Sequence, residues 1–485
     1  MKNSTTRAPA PAPARVVVIG GGIAGLTAVR RLERLFRASE AEIVLVSRDN
    51  ILTMTPLLFE AFSGAIELRH CVQPIRPCLE HARFVEATVD SVDLDRQVVR
   101  AVAVEGRELG LPYDHLVVAL GATTDMTRIP GSEHAFTFRT AADAWLLRNH
   151  IIERFERADE EGDPRRRAQL LTFVVIGGGL VGAELLGELT AFAGDVLRHY
   201  PHIPRSAVHF HLFEAGERLI PESTRHLADY GARILRARGA ELHMSCTVSS
   251  IGPGHMRAGD RVMETDTIVL AADIVPSPVA ARIGVERDRR GGILTGATMR
   301  SVSHPAVWAI GDCAAILGPE AGLHPALAQH AIREGRAVAR NVHAAALGHR
   351  PRILVYRPLG TTVSFGHRRV AVDLGVVRIT GFLAWWLRRT YYLLQMPRWG
   401  RRLHAALDWT VSLLFPPNLT KVDLAVERER EQRNAPGGAR SGGRPGSELA
   451  SVARNRACHA DQPVVTVTTS EYAEFSEADS AAAST

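Results

Sequence analysis

The sequence predicts an α/β protein built from two doubly wound domains, followed by a C-terminal region of amphipathic helices. Two segments predict the domains, because each combines a buried strand, a glycine-rich turn and a helix-compatible stretch: VVVIGGGIAG from Val16 to Gly25, and FVVIGGGLVGAE from Phe173 to Glu184. A shift to aromatic, apolar and arginine residues between Gly381 and Phe415 predicts the helical region. A chain of 485 residues, 46% of them hydrophobic, can bury the cores that this organisation needs.

Charge and cysteine content limit the classes of function. The formal net charge of +6 suits an anionic partner, but no nucleic-acid-binding motif is present, so we predict no nucleic acid partner. No uninterrupted apolar stretch of about 18 residues predicts a membrane-spanning helix. Five scattered cysteines, and an N-terminus without a signal-like apolar run, predict a reducing cytoplasmic environment. The twenty histidines show no convincing ligand spacing, so we predict no metal site.

Each glycine turn carries three glycines at the spacing that a dinucleotide-binding unit requires. The first glycine permits the tight turn, the second lets backbone amides approach a pyrophosphate, and the third lets the helix pack on the strand. One such match would be weak evidence, but two in the same context predict two Rossmann-like domains that each bind a dinucleotide. The glycines are Gly20, Gly22 and Gly25 in the first turn, and Gly177, Gly179 and Gly182 in the second.

An internal repeat supports this interpretation. Each glycine turn is followed, at a similar distance, by an apolar strand that an acid opens, Asp114 in DHLVVALGA and Asp266 in DTIVLAADIVPS. Two similar nucleotide-binding domains account for the repeat.

Residues after neighbouring strands distinguish the two dinucleotides. Glu214 ends VHFHLFE, where its carboxylate can accept from both ribose hydroxyls and would repel a 2′-phosphate, which favours NADH over NADPH. A solvated strand-end glutamate is the alternative, and the nearby Arg218 weakens the discrimination. Ser47 takes the corresponding place in the first unit. Asp312, in WAIGDCA, is placed to bond the ribityl hydroxyls that FAD has and NAD lacks, although a helix cap would also explain it.

These residues show that the chain resembles the pyridine nucleotide-disulfide reductase superfamily and, within it, the type II NADH dehydrogenases, which are NADH:quinone oxidoreductases of the membrane surface. The resemblance runs from about Arg15 to Val426. Its motifs, in order, are VVIGGGIAGL, VSRDN with TPLLFEAFSG, LVVALGA, VVIGGGLVGAELLGEL, SHPAVWAIGDCA, HPALAQHAIREG, and GFLAWWLRR followed by LHAALDWTVSLLF.

The resemblance implies an enzyme that transfers a hydride from NADH to FAD, and then two electrons to a membrane quinone, without pumping protons. It implies that Thr55, Pro56 and Leu57 lie near the isoalloxazine or the FAD tail. Beyond the six turn glycines, the implied cofactor-binding residues are Ser47, Thr55, Pro56, Leu57, Val89, Ala119, Gly121, Glu214, Gly311, Asp312 and Ala328.

The resemblance also implies three catalytic residues, Glu184, Gln329 and Arg333. The sequence places Glu184 in the first helical turn after Gly182, where an anion beside a diphosphate is unfavourable, so a role in quinone binding or proton delivery is implied. A structural helix-start glutamate is the alternative. The segment AQHAIREG falls at the family's quinone motif, which usually has Gln where this chain has Arg333. A cation there could stabilise a reduced quinone anion, alter the acceptor or pair with a carboxylate.

The segment from Gly381 to Phe415 predicts two short helices lying in a bilayer surface. Leu403, Leu407, Val411 and Leu414 recur at helical spacing, and a core face is the alternative reading of this stripe. Aromatic residues, a break at Pro397 and many arginines favour a lipid surface, with the arginines facing anionic headgroups. The arginines are Arg388, Arg389, Arg398, Arg401 and Arg402. We therefore expect a peripheral protein on the cytoplasmic face of the cell membrane; homodimerisation is left open.

The predicted organisation is a flexible N-terminus (1–14), an FAD-binding domain in two parts (15–145 and 285–345), an NADH-binding domain between them (146–284), a membrane-associating region (346–426) and a disordered tail (427–485). Three rival functions remain open. A sulfide:quinone oxidoreductase needs a cysteine pair beside the flavin, and none of the five cysteines is persuasively placed for one. A ferredoxin or rubredoxin reductase would not need the amphipathic end, and a flavin redox sensor is supported only by the long tail.

Overall fold

The computed structural model describes residues 13–421 apart from 273, 319–321, 357–359, 397–398 and 416–419. The predicted disordered tail and most of the predicted flexible N-terminus lie outside the described residues, as do Pro397 and Arg398. Ala14, assigned to that N-terminus, already begins the first strand.

In chain order the strands are β1 (Ala14–Ile19), β2 (Ala41–Ser47), β3 (Ile51–Thr53), β4 (Val72–Pro74), β5 (Arg83–Asp93), β6 (Val98–Ala103), β7 (Glu108–Pro112), β8 (His115–Val118), β9 (Ala122–Thr124), β10 (Phe136–Thr137), β11 (Thr172–Ile176), β12 (His209–Phe213), β13 (Ala240–His243), β14 (Val248–Gly252), β15 (His255–Ala258), β16 (Arg261–Glu264), β17 (Thr267–Leu270), β18 (Ile274–Pro276), β19 (Ile293–Thr295), β20 (Val307–Ala309), β21 (Ala314–Ile316), β22 (Thr361–Ser364), β23 (Val370–Asp373) and β24 (Arg378–Thr380). The α-helices are α1 (Ile23–Leu35), α2 (Thr55–Phe62), α3 (Leu68–Cys71), α4 (Ala141–Glu160), α5 (Pro164–Leu170), α6 (Leu180–Leu197), α7 (Arg225–Ala237), α8 (Ala328–Ala346), α9 (Phe382–Gln395) and α10 (Trp399–Leu414).

The first sheet has the strand order β20-β8-β1-β2-β5-β6-β7. Its first five strands are parallel, and β6 and β7 extend it as an antiparallel meander. Strand β1, which leads into the first glycine turn, is fully or nearly buried from Val16 to Ile19, as expected for a central parallel strand. Helix α8 approaches α1 closely, since a Cβ at Gly335 would lie 2.5 Å from the carbonyl oxygen of Ala24.

The second sheet is parallel throughout and has the order β10-β17-β11-β12-β13. Strand β11 lies between β12 and β17 as β1 lies between β2 and β8, so both glycine turns leave equivalent positions in their sheets. The predicted α/β class with two doubly wound units is confirmed. The acidic residues that precede β8 and β17 form ion pairs with arginines: Asp114 lies 2.6 Å from Arg15, and Asp266 lies 2.7 Å from Arg166.

In the chain, the strands of the second sheet fall between β8 and β20 of the first. The domain boundaries remain predictions, and the one at 145/146 falls inside helix α4. The region 346–426 contains the antiparallel sheet β22-β23-β24 in addition to helices, and α9 packs on it. Among the described helices, none combines the length and apolar character needed to cross a bilayer.

A phenylalanine joins this small sheet to the second doubly wound unit. Phe365, between β22 and β23, is fully buried. A Cβ at Gly187 of α6 would lie 2.6 Å from the Phe365 backbone, and a Cβ at Gly231 of α7 would lie 2.5 Å from its ring. Arg238 donates to the carbonyl oxygens of Gly187 and Gly366 at 3.0 and 2.9 Å. Glycine is therefore required at two helix positions so that Phe365 can pack against both helices.

Candidate active site

The first glycine turn has the geometry that its spacing predicts. Gly20 has φ +107°, and a Cβ there would lie 2.2 Å from the carbonyl oxygen of Ala119. A Cβ at Gly25 would lie 1.9 Å from the carbonyl oxygen of Gly20, which holds the helix against the strand. Gly22 begins α1 without a side-chain cap, and a Cβ there would meet no protein atom within 4 Å. The cradle fits a dinucleotide, because its walls exclude side chains while the helix N-terminus stays open to an anion.

Other residues predicted to bind the first dinucleotide lie around the same sheet edge. Ser47 ends β2 beside the turn, since a Cβ at Gly21 would lie 2.6 Å from its Oγ. Gly121 follows β8 with φ +65°, and its Cβ position contacts no protein atom within 4 Å. Val89 is buried on β5, three residues beyond the last register pair of β5 with β2. Ligands bind at such carboxyl edges of parallel strands.

Asp312 lies in a short 3-10 helix, Gly311–Cys313, after β20. The N-cap of this helix is Ile310, so the helix-cap explanation of Asp312 is wrong. Burial raises the pKa of Asp312, and Arg139, whose Nη2 lies 3.7 Å away, opposes that shift. Gly311 has φ +69°, and its amide donates to Glu334 at 2.7 Å.

The helices α2 and α8 position the remaining predicted contacts of the first dinucleotide. Thr55, Pro56 and Leu57 form the first turn of α2, where Leu57 is fully buried. Ala328 is the first residue of α8. The Pro56 carbonyl is engaged by Arg388 at 3.1 Å, a contact that the sequence pattern did not indicate.

The second glycine turn repeats the geometry of the first. Gly177 has φ +105°, and its Cβ would lie 2.7 Å from the Cβ of Ala272. A Cβ at Gly182 would lie 1.8 Å from the carbonyl oxygen of Gly177. Gly179 is the N-cap residue of α6 and makes no side-chain cap. Both turns therefore offer the same kind of backbone cradle.

Glu214 lies directly against this turn. Its carboxylate accepts from the amides of Gly178 at 2.5 Å and Gly216 at 2.7 Å. Arg218 donates to the carbonyl of Ser223 at 3.0 Å and so is engaged by backbone. This contact leaves the guanidinium charged, so the weakened discrimination against a 2′-phosphate stays a prediction.

A second carboxylate at this helix start was not foreseen. Glu222 is exposed, and its Oε1 accepts from the amide of Leu180, the first residue of α6, at 2.7 Å. Helix N-termini attract anions, so this side chain takes up an amide that a bound diphosphate would also use. Glu222 reaches the start of α6 because the segment after Glu214 folds back over the glycine turn. No spacing in the sequence indicates this contact.

Glu184 lies in the second turn of α6, because the helix begins at Leu180; its predicted position in the first turn is wrong. Its Oε1 accepts from the Ser364 amide at 2.8 Å and from Nη2 of Arg388 at 2.9 Å. Arg388 also lies 3.4 Å from Glu60, whose other oxygen is 2.8 Å from Arg389. Two arginines of α9 and two glutamates of α2 and α6 therefore form a buried charge cluster.

The prediction that the α9 arginines face lipid headgroups is thus wrong. The side chains of Arg388 and Arg389 are 1% and 7% exposed, because Glu60 and Glu184 supply carboxylates inside the protein. Arg401 donates to the Arg69 carbonyl at 3.1 Å, and Arg402 donates to the carbonyl of Met396 at 2.7 Å. Arg388, Arg389 and Arg401 therefore anchor the two helices to the rest of the protein, and Arg402 joins α10 to the end of α9.

Burial changes the acidity of the carboxyls in and beside this cluster. It raises the pKa of Glu184, and Arg388 opposes the shift. Burial, followed by the charge of Glu60, raises the pKa of Glu188 to about 7. Glu188 accepts from the Ser364 hydroxyl at 3.1 Å. A carboxyl that titrates near neutrality can hold or release a proton at working pH.

Gln329 and Arg333 lie together on the first turns of α8. Nη1 of Arg333 donates to the Gln329 carbonyl at 3.0 Å, and its guanidinium lies 4.2 Å from the ring centre of Tyr356. The Tyr356 hydroxyl donates to Oε1 of Gln329 at 3.1 Å. Within the described part of the chain, Arg333 makes no ion pair with a carboxylate, and no hydrogen bond joins this group to Glu184. Tyr356 was not foreseen, because nothing in the sequence links it to the motif.

Among the described cysteines, Cys71, Cys246 and Cys313 are free thiols. Burial raises the pKa of Cys313 to about 12, and its Sγ donates to the Ile310 carbonyl at 3.3 Å. A thiol this weakly acidic is a poor nucleophile. Cys313 is therefore a packed neighbour of the site.

The apolar stripe of α10 is exposed, so it is not a core face. Leu407 and Val411 are each 54% exposed and Leu414 is 77% exposed. On α9, Phe382 and Trp386 are 58% and 52% exposed. The other exposed apolar side chains of the two helices are Leu383, Leu394, Trp399, Leu403, Leu413 and the adjoining Phe415. Large exposed apolar side chains are therefore concentrated on these two helices.

Two glycine cradles on doubly wound sheets, with a buried acidic and cationic cluster beside them, define a flavin- and pyridine-nucleotide-dependent oxidoreductase. The chain belongs to the pyridine nucleotide-disulphide oxidoreductase family, whose model matches residues 14–335. The resemblance inferred from its motifs is confirmed.

Among curated proteins, the chain is similar to the type II NADH:quinone oxidoreductase Ndh of Mycobacterium tuberculosis, with 29% identity over 82% of this chain and 88% of that protein. It is also 29% identical to the type II NADH:quinone oxidoreductase of Staphylococcus aureus, over 74% of this chain and 90% of the relative. Among solved structures, NDH2 from Plasmodium falciparum in complex with NADH shares the fold, with TM-score 0.78 and 16% identity, covering 84% of this chain and all of that chain.

Proposed function

We propose that this protein is an FAD-dependent NADH:quinone oxidoreductase of the type II class. The pair of equivalent glycine cradles carries this proposal, because one chain that holds two dinucleotides side by side can pass electrons between them. The curated relatives named as NADH:quinone oxidoreductases supply the acceptor class. When bound, the flavin supplies the chemistry that accepts a hydride and returns two electrons to the quinone.

The two nucleotides are assigned by their surroundings. Gly20, Gly22, Gly25, Ser47 and Asp312 would hold FAD, the last through the ribityl hydroxyls. Gly177, Gly179, Gly182 and Glu214 would hold NADH. The carboxylate of Glu214 at the second turn disfavours a 2′-phosphate, although Arg218, which donates to the carbonyl of Ser223, keeps a positive charge in the same segment.

Protein groups manage protons and charge at the acceptor side. Glu184 and Glu188 lie one helical turn apart on α6, and burial raises the pKa of both. Either carboxyl can hold a proton that a quinone takes up on reduction. Arg333 keeps its charge, and its position over Tyr356 would place a cation where a reduced quinone carries negative charge. The replacement of the family's usual Gln by Arg333 would therefore affect the reduction of the quinone.

The exposed stripes of α9 and α10 would rest in the surface of a membrane, on its cytoplasmic face, so that a hydrophobic quinone enters from the lipid. The headgroup contacts are assigned to other arginines than those expected from the sequence. Arg30, Arg31, Arg34, Arg336 and Arg340, on α1 and α8, line a cavity of about 410 Å³ that Gln395 of α9 also borders. None of them makes an ion pair with a carboxylate among the described residues, so they are available to lipid phosphates. The proposal does not depend on whether the protein forms a homodimer.

Rapid mixing of the flavin-loaded protein tests the function. NADH should bleach the flavin absorbance within the instrument's mixing and observation time, and a short-chain quinone added second should restore it at a rate that supports turnover. Prompt bleaching followed by very slow reoxidation would instead indicate a flavin redox sensor. Bleaching by sulfide but not by NADH would indicate a sulfide:quinone oxidoreductase.

A further inference from the structure

Two histidines and a glutamate meet at the edge of the second sheet. His211 lies on β12, and Glu241 and His243 lie on the edge strand β13. The parallel register pairs His211 with Glu241 and Phe213 with His243, so alternate residues of both strands share one face. Nothing in the proposed oxidoreductase function uses these side chains.

The three possible ligand atoms stand close together. Nδ1 of His211 is 3.2 Å from Nε2 of His243, and Oε2 of Glu241 is 3.6 Å from the first and 3.8 Å from the second. Ligands around a tetrahedral zinc ion, at about 2.0–2.1 Å from the metal, are separated from one another by about 3.3–3.4 Å. The observed spacings match this triangle to within a few tenths of an ångström.

The surroundings favour a metal over a simple hydrogen bond. The side chains of His211 and His243 are only 11% and 18% exposed, whereas Glu241 is 63% exposed and leaves an approach from solvent. The ring of Phe213 stacks on that of His243, with centroids 4.4 Å apart, and helps to fix its orientation.

The geometry points to a three-ligand binding site for a divalent transition metal ion, best suited to zinc, formed by His211, Glu241 and His243. Two imidazoles and one carboxylate form a donor set that zinc accepts, with water as the fourth ligand. The bound ion would join the edge strand β13 to β12. Because the amide of Glu214 donates to the carbonyl of His243 at 2.9 Å, the ion would brace the strand end beside the second nucleotide cradle.

The site was missed in the sequence because its members come from two strands about thirty residues apart. Only the parallel register of β12 and β13 brings them together. A histidine at position 209, on the same face but outside the triangle, offers a matched control.

Zinc titration of the tag-free, FAD-loaded protein, after dialysis against a chelator, tests the site. The wild type should bind one zinc ion in competition with a chromophoric chelator, and cobalt should give the intense visible bands of tetrahedral coordination. Glu241→Gln, at an exposed position, and His243→Asn should each weaken zinc binding by about 100-fold or more. The loss of a group that only hydrogen-bonds to a metal ligand already lowers metal affinity about 10–100-fold. His209→Asn should leave it unchanged.

Zinc should also raise the midpoint of thermal unfolding of the wild type and of His209→Asn, but not of Glu241→Gln. The inference is overturned if the wild type binds no zinc at micromolar concentration. It is equally overturned if Glu241→Gln binds zinc as tightly as the wild type, because binding then occurs at other histidines.

Discussion

Arg388 of the C-terminal helix α9 lies 2.9 Å from Glu184 of the helix that follows the second glycine turn, and both side chains are buried. The pair joins parts of the chain separated by 204 residues. It also holds the carboxyl proposed to deliver protons in one orientation. Arg388 therefore positions Glu184, in addition to fixing the apolar helices to the nucleotide-binding fold.

Substitution of Arg388 should strongly destabilise the folded protein. Arg388→Met should lower the free energy of unfolding by roughly 3–5 kcal/mol, because Glu184 would remain buried without a compensating cation and Glu60 would keep only Arg389. Urea unfolding followed by circular dichroism measures the change. Arg401→Met is the matched control, since Arg401 only donates to the Arg69 carbonyl near the surface. A loss below about 1 kcal/mol for Arg388→Met would contradict the role of the cluster.

Glu188 should make stability depend on pH. Its pKa is raised to about 7 in the folded protein, from 4.5 for an unperturbed glutamate, so the unfolded chain releases this proton first. Stability should therefore fall as pH rises from about 4.5 to about 7, and should not recover above that range. Glu188→Gln should remove this decline and be more stable than the wild type at pH 8 by about 1–3 kcal/mol. Equal slopes for both proteins between pH 5 and 7 would refute the assignment.

The two glutamates at the second glycine turn should affect NADH binding in opposite directions. Glu214→Gln should raise the KM for NADH about tenfold through loss of charge-assisted hydrogen bonds, and should narrow the preference for NADH over NADPH. Glu222→Gln should lower that KM about two- to fivefold, since a negative charge leaves the helix N-terminus. Steady-state kinetics with both nucleotides measure this. The exposed neighbour Glu217→Gln is the control, and a rise in KM for Glu222→Gln would exclude competition at the helix start.

Arg333 should act only in the acceptor half of the reaction. Arg333→Gln, which restores the family's usual residue, should leave the rate of flavin reduction by NADH unchanged and slow reoxidation by quinone about tenfold. Stopped-flow spectroscopy separates the two rates. A slower reduction by NADH, or an unaltered reoxidation, would show that the cation does not serve the quinone.

The apolar stripe of α10 should bind lipid. The double variant Leu407→Asp with Val411→Asp should reduce partition onto anionic vesicles by at least about tenfold per residue, because each side chain is more than half exposed and would lose its burial in lipid. Vesicle flotation measures the bound fraction. Val104→Asp, 78% exposed in the turn after β6, is the control and should bind as the wild type does. Equal binding by all three proteins would remove the proposed membrane contact.

The sequence predicts what depends on local spacing. Gly20 and Gly25, like Gly177 and Gly182, take up the close approaches that their motifs require, since strand, turn and helix are contiguous. The apolar stripe of α10 also follows from its periodicity, but only the structure shows that the stripe is exposed. The direction of the α9 arginines could not be predicted, because their carboxylate partners lie on α2 and α6, far away in the chain.

The same limit applies to the other residues that were missed. Tyr356 joins Gln329, and Glu222 reaches Leu180, only through the path of the folded chain. The triangle of His211, Glu241 and His243 depends on strand register. Side-chain partnerships across large sequence separations leave no periodic signal in a single sequence.

Phe365 fills the space left by Gly187 on α6 and Gly231 on α7, and the strand that follows it, β23, packs against α9. The helix α9, with its exposed apolar side chains, and the helix that starts at the second glycine turn therefore pack on one common support. When the apolar stripes rest on a bilayer, this support sets the height of the nicotinamide nucleotide above the lipid, and so the path length between a water-soluble donor and a lipid-soluble acceptor.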